Sequence, residues 1–365
     1  MNPAAWSGVP YGIVSELQRL GVLAGVRNAI PWPTATRALY RWMELTRRTE
    51  RWTARPEMRT LTWLSNHVHA AATPHDVDAW VQFVGGYGRL ARGRYVTVFE
   101  LSPAQLIDAG PVASSLGYPG YTRSDLSAVA RLHRHVYRGA YACCMASRWA
   151  ADALVRETGV DARRVHVIGY GRNLDIAAPT TKDWSRPRYL FVGRSWQRKN
   201  GDRVLRAFAR VRKDFPDAQL DLVGDHPDIE VDGVVAHGLV EVSSPEGRAH
   251  LERLFSAATC FVVPSLLEPF GIVYVEAAAA GVASIAGNIG GTADSVGDGG
   301  LLVDPYDDDD IYAAMRAFAD PDAAKELARV AQARSTEFTW AKTGQRVLRA
   351  LDLGLDDDLQ LADFL

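Results

Sequence analysis

The chain has 365 residues, 47% of them hydrophobic and 23% charged, a composition typical of soluble globular proteins and not of fibrous or disordered ones. At roughly 150 residues per domain, this length predicts two domains. The net charge of −2 hides an asymmetry, because residues 1–180 carry a balance of +8 and residues 181–365 a balance of −10. The near-neutral total argues against general nucleic-acid binding. Halves that differ this much in charge predict two lobes with different partners.

The sequence also predicts the cellular compartment of the protein. No apolar run approaches the roughly 20 residues that span a bilayer, and the first residues lack the basic and apolar regions of a signal peptide. Cys143, Cys144 and Cys260 have the spacing of neither a disulfide framework nor a zinc site. We therefore expect three buried thiols in a cytoplasmic protein.

The sequence of the first half predicts alternating helices and strands, with no helix or strand assigned between residues 30 and 94. The predicted helices cover residues 11–20, 126–138 and 149–158, and the predicted strands cover 23–30, 94–99, 141–146 and 164–169. Residues 174–187, which have two prolines and no hydrophobic period, are the best candidate for a linker.

The second half shows a clearer alternation. Strands are predicted at 188–193, 219–224, 233–237, 260–264, 282–286 and 300–303, with helices at 202–216, 251–258 and 271–280. Short apolar strands that alternate with helices of this length predict a parallel, doubly wound sheet.

One segment carries most of the chemical information. A strand ends at Pro264, a loop carries Glu268, and a helix begins near Gly271 with Glu276 inside it. The unpaired N–H groups and the dipole at a helix start favour a phosphate. A carboxylate on each side of that start can accept hydrogen bonds from vicinal hydroxyl groups. The spacing therefore suits a sugar, a ribose and the phosphates between them.

The pattern Glu268-Pro-Phe-Gly-x4-Glu276 resembles the E-x7-E motif of retaining GT-B glycosyltransferases of the family-4 type. This resemblance implies two Rossmann-like domains that face a central cleft, with a C-terminal helix that crosses back to the N-terminal domain. It implies an N-terminal acceptor-side domain over 1–175, a donor-binding domain over 188–341, and a tail of about 342–365 on the N-terminal domain.

The resemblance also implies site residues. The family places an arginine and a lysine after the first strand of the donor domain, and this chain has Arg194 and Lys199 there. Trp6-Ser7-Gly8 resembles the family's glycine loop. The implied catalytic residues are Arg194, Lys199, Glu268 and Glu100, and the implied donor-binding residues are Gly8, Arg194, Lys199, Glu268, Phe270, Gly271, Ile272, Val273 and Glu276.

The activity implied by the resemblance is transfer of a sugar from a UDP-, GDP- or dTDP-sugar to an acceptor hydroxyl, with retention of configuration and without a metal or other cofactor. The acceptor, whether small molecule, glycan or lipid-linked, is left open. One alternative is a GT-B sugar-nucleotide epimerase. Another is a silent nucleotide-binding partner subunit.

The sequence leaves several features open. Many members of the family have a histidine or an aspartate after an N-terminal strand, facing the anomeric carbon, and the resemblance implies this place for Glu100. His67 and His69 alternate as on a strand, so only one of them can face a cleft. Only five residues precede Trp6, where the family has a strand, so either the start is misassigned or that strand is absent. The basic, aromatic residues 37–59 could lie on an anionic membrane face or bind a phosphorylated acceptor, or they could form a helix that covers the lobe. The run Asp307–Asp310 predicts the first turn of a helix and not a metal site.

Overall fold

The computed structural model describes residues 5–26, 77–83, 93–116, 118, 121–174, 176, 178 and 181–353. The chain divides into two compact units. The first holds Ala5 and the described residues within 10–168 and 343–353, and the second holds residues 6–9 and the described residues within 169–342. Each unit is built on its own parallel sheet, as predicted.

The sheet of the first unit has four described strands in the order β1-β2-β3-β4, and every pairing is parallel. The strands are β1 Trp80–Phe83, β2 Tyr95–Phe99, β3 Ala142–Met145 and β4 Val165–Val167. Every residue of β2 and β3 is buried, which explains why these two strands read as continuous apolar runs in the sequence.

The described helices of the first unit are mostly amphipathic. They are α1 Val9–Arg19, α2 Pro103–Asp108, α3 Arg123–Gly139 and α4 Arg148–Thr158. Short 3-10 turns cover Ala5–Gly8, Gly110–Leu116 and Ala162–Arg164. The strand predicted at 23–30 is wrong over its described part, because residues 22–26 are irregular and Val26 is exposed with no strand beside it.

The sheet of the second unit has six strands in the order β10-β9-β8-β5-β6-β7, again all parallel. They are β5 Arg188–Gly193, β6 Gln219–Gly224, β7 Val234–Gly238, β8 Cys260–Val263, β9 Ser284–Gly287 and β10 Gly300–Val303. The chain order runs outward from β5 on one side and outward from β8 on the other. The sheet therefore has a topological switch point between β5 and β8, the place where open α/β sheets bind ligands at the carboxyl ends of their strands.

The helices of the second unit cover this sheet. They are α5 Trp196–Lys199, α6 Gly201–Asp214, α7 Pro245–Ala257, α8 Ile272–Ala279, α9 Thr292–Val296, α10 Asp308–Ala317 and α11 Pro321–Ser335, with a 3-10 turn at Gly297–Gly299. A last helix, α12 Trp340–Ala350, begins in the second unit and continues in the first.

Two expectations about side chains are confirmed. The side chain of Asp307 accepts hydrogen bonds from the N–H groups of Asp309 and Asp310, so the aspartate run caps α10. Cys143, Cys144 and Cys260 are free thiols and fully buried. Within the described residues there is no group of three or more ligands that could hold a metal ion, and no helix is both long and apolar enough to span a bilayer.

Candidate active site

The candidate site lies at the switch point of the second sheet, where β5 and β8 end. The segment after β5 turns at once into the short helix α5, which carries Arg198 and Lys199. Asn200 ends that helix in the left-handed conformation, with φ of 67°. Its side-chain amide donates to the carbonyl of Pro264 at 3.1 Å and to that of Pro305 at 2.6 Å. The turn after β5 is thereby fixed against the end of β8.

Three side chains converge on one oxygen of Glu268. Arg198 Nη1 lies 3.0 Å from Glu268 Oε2, the Lys199 ammonium forms a close ion pair with the same atom, and the Ser265 hydroxyl lies 3.4 Å from it. Glu268 Oε1 has no hydrogen-bond partner in the described part of the chain and is not a buried atom. One oxygen thus holds the carboxylate in place while the other stays open to a ligand.

The electrostatics of this cluster favour an anion. Burial alone raises the pKa of Glu268, but Lys199 and then Arg198 outweigh burial and hold its pKa at about 2. Burial lowers the pKa of Lys199, and Arg198 adds to that lowering, while Glu268 opposes both. A single carboxylate cannot neutralise a guanidinium and an ammonium together. A buried cation without full compensation favours an anionic ligand.

The start of α8 adds backbone donors beside this cluster. Gly271 precedes the helix with φ of 84°, and no side chain caps the helix start. A Cβ on Gly271 would lie 2.4 Å from two ring carbons of Tyr274, so only glycine fits here. The N–H groups of Ile272 and Val273 have no protein acceptor among the described residues. Such N–H groups, together with the helix dipole, suit an anion.

The hydrophobic side chains around this helix start are packed inside the protein. The ring of Phe270 is 1% exposed and packs against Tyr170 and Phe338, with ring centroids 5.3 Å and 5.7 Å away. Ile272 is also buried, and Val273 packs against the core. The donor-binding role predicted for these residues therefore rests on their backbone and not on their side chains.

Glu276 is held in a similar way to Glu268. Its Oε1 accepts the backbone N–H groups of Asn173 at 3.1 Å and Leu174 at 3.3 Å. Its Oε2 has no partner within the described residues and is not a buried atom. Burial raises the pKa of Glu276 to about 7, although these two hydrogen bonds act in the opposite direction.

Asn173 connects the segment of Gly8 to Glu276. The Asn173 side-chain amide donates to the carbonyl of Ser7 at 2.7 Å. A Cβ on Gly8, which has φ of 82°, would lie 2.7 Å from Asn173 Oδ1. The structure thus connects the predicted glycine loop to the predicted second carboxylate.

The remaining predicted residues are more dispersed. Arg194 follows β5 at the same sheet edge but is exposed, and its charge helps to lower the pKa of Glu241, after the larger effect of Ser243. Glu100 follows β2 in the first unit and is half-buried, close enough to contribute to the raised pKa of Tyr118 after the larger effect of burial. His67, His69 and the segment 37–59 lie outside the described residues.

Sequence reasoning missed Arg198 and Asn173. Arg198 is adjacent to Lys199, and two neighbouring cations on a four-residue helix look like a solvated pair until Glu268 is placed beside them. Asn173 acts partly through its backbone N–H, which leaves no trace in residue type. A polar side chain directly after a glycine-rich turn, in Gly169-Tyr170-Gly171-Arg172-Asn173, was the available signal.

Comparison with known proteins identifies the family of the chain. Residues 186–320 match the family described as glycosyl transferases group 1. The chain is 31% identical over 319 residues to alpha-maltose-1-phosphate synthase of Mycolicibacterium smegmatis, a match that covers 78% of this chain and 79% of that protein. The chain belongs to the group 1 glycosyltransferases. It is also 31% identical to D-inositol 3-phosphate glycosyltransferase of a Nocardioides species, over 54% of this chain and 53% of that protein.

This group 1 glycosyltransferase has the GT-B fold. The solved structure of sucrose-phosphate synthase from Thermosynechococcus elongatus aligns with a TM-score of 0.62 at 22% identity, covering 81% of this chain and 78% of that one. Since curated relatives are glycosyltransferases, the chain is an enzyme of that type, and the family suggests a nucleotide-sugar donor and a separate acceptor.

Proposed function

We propose that this glycosyltransferase moves a sugar from a nucleoside-diphosphate sugar to an acceptor hydroxyl with retention of configuration and without a metal ion. The proposal rests on an arrangement that the carboxylates of Glu268 and Glu276 share. Each carboxylate is buried, has one oxygen engaged by the protein and has one oxygen open.

The diphosphate of the donor would bind between these carboxylates. Lys199 and Arg198 supply positive charge that Glu268 alone does not balance, and the N–H groups of Ile272 and Val273 supply hydrogen bonds. As the sugar–phosphate bond breaks, its electron pair moves onto the diphosphate, and these donors stabilise the growing charge. Such preorganised stabilisation is usually the largest catalytic contribution. In this role the protein cations replace a metal ion.

The two open carboxylate oxygens would bind hydroxyl groups on either side of the diphosphate. Glu268 Oε1 is placed beside the cations and suits a sugar hydroxyl, whereas Glu276 Oε2 suits the ribose. The acceptor oxygen then attacks the anomeric carbon on the face that the diphosphate leaves. Its proton passes to an oxygen of the leaving phosphate, so no side-chain nucleophile is needed.

The stereochemistry of a single turnover tests this proposal. The enzyme is screened against UDP-, GDP- and dTDP-sugars with polyol and sugar-phosphate acceptors in a chelator, and proton NMR follows the anomeric signal of the product. We expect a product with the donor's own anomeric configuration. An inverted product, or epimerisation of the donor in the absence of any acceptor, would contradict the proposal.

A further inference from the structure

The first unit contains an open surface cavity of about 620 Å³ at the amino ends of β2, β3 and β4. Its polar lining comes from Arg94, Tyr141, Arg163, Arg164, His166 and Asp352. This volume lies in the range of small-molecule sites. Four of the six polar side chains are basic, and one is acidic, so the lining favours an anion.

The cavity is separate from the edge of the sheet where substrates of such folds bind. Arg94 precedes β2 and Glu100 follows it, so five extended residues, or about 17–20 Å, separate the two ends of the strand. Ligands of open α/β sheets bind beyond the carboxyl ends of the strands, which is the Glu100 end. A ligand at the Arg94 end would therefore have a role other than that of a substrate.

Arg94 is already arranged as an anion receptor. Its guanidinium lies over the ring of Tyr141, with Cζ 3.7 Å from the ring centroid. One terminal nitrogen donates to Asp352 Oδ2 at 3.1 Å and to the carbonyl of Leu351. Its Nε is buried and has no hydrogen-bond partner among the described residues. The head group is thus fixed by stacking at the lining of the cavity.

The carboxylate of Asp352 binds Arg94 from a position that its backbone conformation and the helix dipole both disfavour. Asp352 follows α12 with φ of 53°, in the left-handed region where glycine is the usual residue. It also lies at the helix end where the dipole disfavours a negative charge. The Tyr141 hydroxyl and Arg94 both bind it, yet its side chain is 69% exposed. Exposed pairs of this kind contribute little stability, so a better anion can displace it.

We propose that this cavity binds the phosphate group of a small soluble phosphate monoester, which takes the place of the Asp352 carboxylate on Arg94 and Tyr141. A phosphate dianion presents three acceptor oxygens and matches a guanidinium better than a single carboxylate does. The other arginines are partly engaged, Arg163 with Asp161 and Arg164 with the carbonyls at the end of α3. The three guanidinium groups outnumber the two carboxylates, which leaves charge for the ligand.

Hydrogen exchange resolved by peptide tests the proposal on the full chain. Inorganic phosphate and glycerol phosphate are titrated against chloride at equal ionic strength, and exchange is followed in peptides covering 139–142 and 163–166. We expect protection of these peptides in the wild-type chain and its loss in Arg94→Gln. Arg329→Gln, which removes an exposed arginine paired with Glu326 in the second unit, is the control and should behave as wild type.

The Asp352→Asn variant is an independent test, because it should strengthen phosphate binding whereas Arg94→Gln should weaken it. It removes the competing carboxylate and keeps every cation, so we expect half-protection at a roughly fivefold lower phosphate concentration. Absence of protection in the wild-type chain, equal protection in Arg94→Gln, or an unchanged midpoint in Asp352→Asn would overturn the proposal. Protection only by vesicles that contain phosphatidic acid, and not by glycerol phosphate, would also overturn it. Phosphate bound at Lys199 is recognised separately, by peptides covering 196–201.

Discussion

The backbone N–H of Asn173 donates a 3.1 Å hydrogen bond to Glu276 Oε1. The same asparagine binds the carbonyl of Ser7 through its side chain, at 2.7 Å. A residue near the start of segment 169–342 of the second unit therefore orients the carboxylate that the sequence motif singles out. This contact also leaves the other oxygen of Glu276 for a ligand.

The pH dependence of stability follows from the burial of Glu276. Its pKa is about 7 in the folded chain against 4.5 in the unfolded chain, so the folded state binds more protons between these values. The contribution of Glu276 to the free energy of unfolding should therefore fall as pH rises from about 4.5 to 7, by on the order of 3 kcal/mol. Urea unfolding at a series of pH values measures this, with the neutral Glu276→Gln as the matched control. The same pH slope in both proteins would contradict the assignment.

Lys199 and Arg198 contact the same oxygen and can be compared directly. We expect Lys199→Met to lower kcat about 10²–10³-fold, because it removes a cation that stabilises the leaving diphosphate. Arg198→Met should reduce kcat less, since Arg198 also donates to the carbonyl of Leu267 and has a positioning role. Steady-state kinetics of both variants with one donor separate the two effects. Equal kcat values for Lys199→Met and the wild type would rule out the assigned role.

Removing the carboxylate of Glu268 should affect stability more than removing either cation. Glu268→Gln leaves the side chains of Lys199 and Arg198 buried without an anionic partner. We expect a loss of roughly 3–5 kcal/mol in the free energy of unfolding. Phosphate or a nucleoside diphosphate should restore part of this loss by supplying the missing negative charge. Chemical denaturation with and without the anion measures both quantities, and an unchanged midpoint in Glu268→Gln would show that the cluster is not electrostatically coupled.

Gly271 and Gly159 form a matched pair for testing the helix start. Both have positive φ, 84° and 68°, but a Cβ would collide with Tyr274 at Gly271 and would meet nothing within 4 Å at Gly159. Gly159→Ala should cost about 1 kcal/mol of unfolding free energy, the usual strain for alanine in this region. Gly271→Ala should cost more and should also weaken donor binding. Equal costs in thermal unfolding would mean that the start of α8 can adjust to a side chain.

The sequence predicted the second unit well because its inner strands are almost fully buried. Such strands read as short apolar runs, and β5, β6, β8 and β9 all appear where those runs lie, within one or two residues. The motif from Glu268 to Glu276 then located the switch-point site. The first unit was harder, since residues 22–26 carry four apolar side chains yet form no strand. Apolar content without a sheet neighbour does not make a strand.

What the sequence could not show is how charges group in space. Arg194 was chosen by its position in the motif, whereas Arg198 is the arginine that contacts Glu268 in the structure. Both lie in the same short segment, and only the turn of α5 decides which one faces the carboxylate. The backbone donors of Asn173 and Leu174 were equally invisible, because every residue type except proline carries the same N–H group.

The proposed activity requires that Lys199 and Glu276 both bind the nucleoside-diphosphate sugar. Isothermal titration calorimetry of the UDP-, GDP- and dTDP-sugar panel in the presence of a chelator tests it most directly, with the wild type beside Lys199→Met and Glu276→Gln. We expect metal-independent binding of at least one donor, weakened about tenfold or more in each variant, equivalent to roughly 1.4 kcal/mol. A donor that binds both variants as tightly as the wild type, or that binds only when magnesium is added, would contradict it.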